Sequence, residues 1–338
     1  MKVTDNIENN KILLSLNLNS DKFDESFSFF DDKDHLYDDN FSRKNLFKSK
    51  IGHHSLQNVD ASFERFKYTN KKSINVIINN PLESEVDSFF RLNPFQKKMI
   101  NLKNFLSRLY KMPYENLSYF RNTKSVFRDG RQIASDYINK GYGGICVDFV
   151  IVTGYYLDKL NIKWFPLKSD IDDRKDCHIA IKAFINDKWY FIDPGLYLSP
   201  ILIENRTKRI SSGRYGTTQA TYQQNSICLC ELNNNNKISF SLFCNLNNII
   251  SFKSLYTLIG IYRSLPIMRD LHITRKASNG NLIEFHHGRF RKYNKNGDLL
   301  ESSRIPVESY SDFIYDIFNI EKDIVEKAKQ KQLKMKLK

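Results

Sequence analysis

The turn Gly143-Gly144-Ile145-Cys146, with the apolar run that Cys146 opens, constrains the fold more than any other stretch of this chain. Two consecutive glycines permit a tight turn and a close backbone approach. The run from Cys146 to Leu160 has no sustained polar face, so it reads as a helix buried on most sides. The turn therefore delivers a thiol to the first residue of a buried helix. The partial positive charge of a helix N-terminus favours thiolate over thiol. His178 is the only histidine between Cys146 and His272, and Asp193 follows fifteen residues after it. In chain order these are a nucleophile, a base and a carboxylate to orient the base. The three residues alone leave a second reading open, in which Cys146 is a core cysteine and His178 a satisfied strand histidine.

The surrounding pattern supplies the frame. Phe95–Tyr110 carries apolar residues at helical spacing and stops at Met112-Pro113. Arg128–Lys140 reads as a second helix, closed by Gly141. After Leu160 the period changes to that of strands, at Ile162–Leu167, Cys177–Ile185 and Lys188–Asp193. Asn186-Asp187 joins the last two into a hairpin, which brings His178 and Asp193 near each other. Further strands are expected at 201–203, 226–232, 238–243, 269–275, 281–285 and 289–293, and helices over 250–263 and 307–318. Residues 1–85 differ: they form an acidic, Asn-rich extension of weak periodicity and low expected order, with short strands at Ile12–Leu18 and Ile74–Ile78. Residues 323–338 form a Lys-rich tail expected to fray.

Composition narrows the classes. No apolar run approaches the roughly 18–20 residues that span a bilayer, so no integral membrane segment is expected. The N-terminus has no charged head followed by an apolar core; a cytoplasmic protein is expected, with export by a route independent of such a signal left open. The five cysteines form neither a disulfide framework nor a CxxC pair, and no metal is expected. Cys177 reads as a strand packing residue, and Cys228 and Cys230 share one face of a strand without other ligands. His53-His54 and His286-His287 read as exposed loop residues. The net charge of +14 has three readings: an anionic macromolecule, a phosphate-bearing substrate, or a base composition that inflates Lys, Asn and Ile. No nucleic-acid motif accompanies it, so no nucleic-acid partner is expected.

From about Asn93 to Ile320 the chain resembles the arylamine N-acetyltransferases. Pro113-Tyr114-Glu115-Asn116-Leu117 is similar to the family's Pro-Phe-Glu-Asn-Leu element, and Gly143–Cys146 to its Arg-Gly-Gly-x-Cys turn. Phe191-Ile192-Asp193-Pro194-Gly195 resembles its Asp-Val-Gly segment, Ile273–Leu282 its late strand-turn-strand, and Ile317–Ile320 its closing Phe-Gly-Ile. The resemblance implies an α+β fold of three units: an N-terminal helical bundle (86–160) with Cys146, a central β-barrel (161–250) with His178 and Asp193, and a C-terminal α/β lid (251–322). It implies acetyl transfer from acetyl-CoA to a small aromatic amine or hydrazine by a Cys146, His178 and Asp193 triad. Three positions depart from the family pattern. Tyr142 stands where the family has the Arg that pairs with the Glu of Pro-Phe-Glu-Asn, so Glu115 needs another partner. Asp148 replaces Glu or Gln, and Val150 replaces Asn. A transglutaminase-like or other cysteine hydrolase has the same triad order, and an amide synthase acting on acyl thioesters shares these residues. A non-catalytic interaction protein built on the extension is the reading from another class.

Overall fold

The computed structural model describes residues 4–6, 13–15, 81–121, 128–204, 207–210, 217–232, 238–251, 254–255, 268, 270–277 and 279–336. The strand expected at Ile74–Ile78, the pair His53-His54 and nearly all of the helix expected over 250–263 lie outside these residues. Within the extension, β1 (Thr4–Asn6) pairs antiparallel with β2 (Leu13–Ser15), which falls inside the expected strand Ile12–Leu18.

The helical segment contains α1 (Pro81–Phe89), α2 (Lys98–Leu109), β3 (Tyr114–Glu115), α3 (Leu117–Arg121), α4 (Gly130–Lys140) and α5 (Cys146–Lys159). Helix α2 starts later than its periodicity suggests, and Phe95 is solvent-exposed. Helix α4 starts at Gly130 because Asp129 caps it. The Asp129 carboxylate accepts the Gln132 N–H at 2.8 Å, and the Gln132 side chain accepts the Asp129 N–H at 3.3 Å. Gly141 ends α4 in the left-handed region, as its position predicts. Helix α5 is the buried helix expected. Val147, Phe149, Val150, Val152, Tyr156 and Leu157 are fully enclosed and pack on Phe105, Leu109 and Ile133.

Eight antiparallel strands follow: β4 (Lys163–Ile171), β5 (Arg174–Ile185), β6 (Lys188–Ile192), β7 (Ile201–Leu202), β8 (Thr207–Ile210), β9 (Thr217–Gln223), β10 (Ser226–Leu232) and β11 (Ile238–Asn245). Their order is β7-β6-β5-β4-β11-β10-β9-β8. The sheet curls as a half-barrel in the place expected for the β-barrel, with β7 and β8 at its edges among the described residues. Along β5, Ile179, Ile181, Ala183 and Ile185 join the core around α5, while Ala180 joins a second cluster with Leu167, Phe191 and Leu229. That alternation is the period of a strand buried on both faces. Asn186 and Asp187 both have positive φ (49° and 60°), the backbone of a two-residue hairpin turn.

A second sheet contains β12 (His272–Lys276), β13 (Leu282–His286), β14 (Arg289–Tyr293) and β15 (Leu299–Arg304), with β3 added beside β12. Its inner face carries Ile273, Ile283, Phe285 and Phe290 and packs on α6 (Tyr310–Phe318) and α7 (Lys322–Lys336). Two expectations are corrected in this region. The Lys-rich tail is not frayed: it forms α7, which packs against α3, because Ile324, Val325 and Ala328 fall on one helical face and are buried. His286 is not an exposed loop residue: it ends β13, 6 % exposed, directly opposite His272. Among the described residues, no helix is long and apolar enough to cross a membrane.

Candidate active site

The nucleophile turn is held by its own glycines. A Cβ at Gly143 would lie 2.2 Å from the Pro113 carbonyl oxygen, and one at Gly144 would lie 2.2 Å from an Asp148 carboxylate oxygen. Only glycine permits both approaches. Residue 144 also bridges to β3: the Glu115 N–H donates to the Gly144 carbonyl at 2.9 Å. The Asp148 carboxylate accepts the Ile145 N–H at 2.9 Å and so ties the turn to the first turn of α5.

Cys146, His178 and Asp193 are brought together. Each is at most 3 % exposed. The hairpin of β5 and β6 places Asp193 one residue beyond the ladder pair Ile181 and Ile192, and His178 three residues beyond it on the other strand. His178 Nε2 lies 2.8 Å from Asp193 Oδ2. Asp193 Oδ1 accepts the Leu196 N–H at 3.1 Å, which fixes the carboxylate plane. Cys146 lies beside the same imidazole, close enough to act on its charge, and with Nε2 engaged by Asp193 the nitrogen left for sulfur is Nδ1. A Cβ built at Gly195 would stand 3.3 Å from His178 Cε1 and 3.5 Å from both Asp193 Oδ1 and Cys146 Cβ, so one glycine closes over all three. Burial opposes the imidazolium, but Asp193 and Cys146 outweigh it and raise the His178 pKa from 6.5 to about 10. Such a site favours a protonated imidazole facing sulfur.

The other cysteines differ. Cys177 is half-buried, and burial pushes its thiol up to about 11, which suits the packing role read from the sequence. Cys244 is buried, and its thiol is pushed up to about 12.

An arginine does arrive from elsewhere in the chain, but it grips the turn and Asp148 and reaches Glu115 only through the field of its charge. Arg128, just ahead of α4, reaches into the site. Its guanidinium donates to the Gly143 carbonyl at 2.7 Å, to Asp148 at 3.0 Å and to Asp136 at 3.2 Å. It lies 5.5 Å from the centre of the Tyr142 ring. Tyr119 donates to the other Asp148 oxygen at 2.6 Å. Tyr142 itself is buried among Leu117, Ile273, Phe318 and Ile320. Glu115 is fully buried; burial raises its pKa from 4.5 to about 7, with the Ser118 N–H and the Arg128 charge only partly opposing. Arg128 and Tyr119 were not among the residues picked from sequence. The one signal for them was the missing Arg at position 142, which implied a substitute without saying where it would come from.

Comparisons with known proteins agree on this architecture. A family model described as a transglutaminase-like domain matches residues 58–215, a stretch that holds Cys146, His178 and Asp193. No curated protein matches the sequence. Among solved structures, the arylamine N-acetyltransferase from Mycobacterium abscessus superposes with a TM-score of 0.62 at 12 % identity, covering 74 % of this chain and 94 % of that one. The enzyme from Salmonella typhimurium gives 0.60 at 12 % identity, covering 74 % and 98 %. An arylamine N-acetyltransferase from Bacillus cereus, described as having a unique Cys-His-Glu catalytic triad, gives 0.56 at 13 % identity, covering 72 % and 99 %. With its helical segment, half-barrel and helix-backed second sheet in one order, the chain has the arylamine N-acetyltransferase fold.

Proposed function

We propose that this protein is an acyltransferase that carries an acyl group on Cys146. The observation behind this is the convergence of Cys146, the first residue of a buried helix, with the hydrogen-bonded pair His178 and Asp193. The Cys146 thiolate attacks the thioester carbonyl carbon of the donor. The C–S bond to the leaving thiol breaks, and the His178 imidazolium supplies that thiol with its proton. The acyl group is then on sulfur. An incoming amine attacks the same carbon, neutral His178 takes the proton from its nitrogen, and the Cys146 thiolate leaves. Asp193 holds the imidazole orientation and offsets its charge. Backbone N–H groups at the start of α5, Cys146 among them, face the developing oxyanion.

The donor proposed is acetyl-CoA and the acceptor a small aromatic amine or hydrazine, supported by the fold shared with arylamine N-acetyltransferases. Net positive charge suits the phosphates of CoA. The odd cysteine count and the need for a free thiol favour a reducing compartment, the cytoplasm. Acetyl-CoA alone is expected to leave one acetyl group on Cys146, read by intact mass, and Cys146→Ser or His178→Ala to abolish it. No adduct and no released CoA, with aromatic amines or hydrazines present, would remove the proposal.

The matched family model favours a second reading, hydrolysis or transfer at glutamine side chains by the same triad. Ammonia release from a glutamine-containing peptide, without acetylation of Cys146, would select it.

A further inference from the structure

We propose that His272, Glu284 and His286 form a binding site for a divalent transition metal of the zinc type, in the second sheet and apart from the triad. The three come from two paired strands. His272 on β12 stands directly opposite His286 on β13, and Glu284 precedes His286 by two residues. Cross-strand partners and residues two apart share a face, so all three side chains rise from one side of the sheet. That side is opposite to the one carrying Ile273, Ile283 and Phe285 against α6 and α7. One ligating atom from each residue can be chosen so that all lie within 4.8 Å of one another. The two imidazole rings cross at 80° with centroids 4.7 Å apart, an edge-to-face arrangement and not a stack.

Burial and donor chemistry support a metal. His272, Glu284 and His286 are 0 %, 5 % and 6 % exposed, so packing would hold the ligands in place and enclose a bound ion. Two imidazole nitrogens and one carboxylate oxygen suit zinc and neighbouring transition metals; calcium and magnesium prefer oxygen alone. The ligand-bearing strands are also fixed from outside. The Asn116 side-chain oxygen accepts the His272 N–H at 2.9 Å, and the Asn116 N–H donates to the His272 carbonyl at 3.1 Å. The Tyr293 hydroxyl approaches Glu284 Oε2 at 3.4 Å and Arg291 Nη1 approaches the same oxygen at 3.7 Å, an arrangement that orients a ligating carboxylate. The rival role for Glu284 is a plain ion pair with Arg291, and the experiment separates the two.

Full-length protein without an affinity tag is stripped with a chelator and dialysed against Zn2+ or Co2+. Bound metal is counted by mass spectrometry after gel filtration, and the Co2+ form is read by visible absorption. One equivalent per chain is expected. Glu284→Gln and His286→Asn should each weaken binding at least tenfold, while Cys146→Ser and the double variant Cys228→Ser/Cys230→Ser should bind as wild type. Chelation should lower the melting temperature of the wild type and leave that of Glu284→Gln unchanged. Less than a tenth of an equivalent in the wild type overturns the proposal. So does wild-type affinity in Glu284→Gln, folded as judged by circular dichroism, which decides the matter if His286→Asn does not fold. Metal that is lost with Cys228 and Cys230 overturns it as well.

Discussion

Arg128→Met tests the reading that Arg128 stands in for an arginine absent from position 142. The Arg128 side chain is 11 % exposed and its partner Asp148 4 % exposed, so this is a nearly buried ion pair. Removing the guanidinium leaves the Asp148 carboxylate with two donors, the Tyr119 hydroxyl and the Ile145 N–H. The Gly143 carbonyl loses its donor altogether. Breaking a buried pair from one side costs about 3–5 kcal/mol. The two donors that remain, and the residual exposure, put this case at the low end, about 3 kcal/mol. For a folded region of this size that corresponds to a melting temperature about 6–12 °C lower. Thermal and urea unfolding measure it. In an Asp148→Asn background no buried charge is stranded, so Arg128→Met should then cost about 1 kcal/mol, a coupling of about 2 kcal/mol. Arg128→Lys should fall between, since an ammonium cannot reach three acceptors in the plane of a guanidinium fork. A cost below about 1 kcal/mol for Arg128→Met, or an equal cost in both backgrounds, would refute the reasoning.

Four further outcomes follow from the same contacts. Tyr142→Arg, which restores the residue the family pattern calls for, should destabilise the protein, because position 142 lies in an apolar cluster and beside the Arg128 charge; a gain in stability would contradict that placement. Gly144→Ala should cost about 1–3 kcal/mol or more and lower acyl-transfer rates, since its Cβ meets Asp148 at 2.2 Å. Glu115 has a folded pKa near 7 against 4.5 unfolded, so between these values the unfolded chain loses a proton that the folded one keeps, and stability falls as pH rises; Glu115→Gln should lack this slope, and identical pH profiles would count against it. Ile324→Ala should cost about 2–5 kcal/mol and Lys327→Ala within about 0.5 kcal/mol, whereas a frayed tail would make both negligible.

What could be read from the sequence was local. The double glycine before Cys146, the Asn186-Asp187 turn and Gly141 each report a backbone requirement within a few residues, and these place α5, the β5–β6 hairpin and the end of α4. The conjunction of Cys146, His178 and Asp193 followed because one hairpin carries two of them. Strand β15 was illegible for a physical reason: Leu299 and Leu300 are adjacent, both 55 % exposed, and an edge strand without a buried face shows no alternation. The lysines of α7 masked three buried positions at helical spacing. Arg128 and the group His272, Glu284 and His286 depend on tertiary approach and strand register, and neither leaves a trace in local spacing.

The anchoring of residues 143–145 also explains how Tyr142 is tolerated. The Gly143 carbonyl is held by Arg128, the Gly144 carbonyl by the Glu115 N–H, and the Ile145 N–H by Asp148. Strand β3 belongs to this clamp and to the second sheet at once, since Glu115 pairs with Ile273 on its other side. The second sheet and the nucleophile turn therefore share one two-residue strand. A guanidinium near Glu115 is needed less to neutralise that carboxyl, which burial already keeps partly protonated near pH 7, than to grip the turn. That task depends on where the guanidinium sits and not on which residue brings it. With residues 143–145 fixed on three sides, the N–H groups opening α5, which have no acceptor within their own helix, are held in one orientation, as the proposed oxyanion role requires.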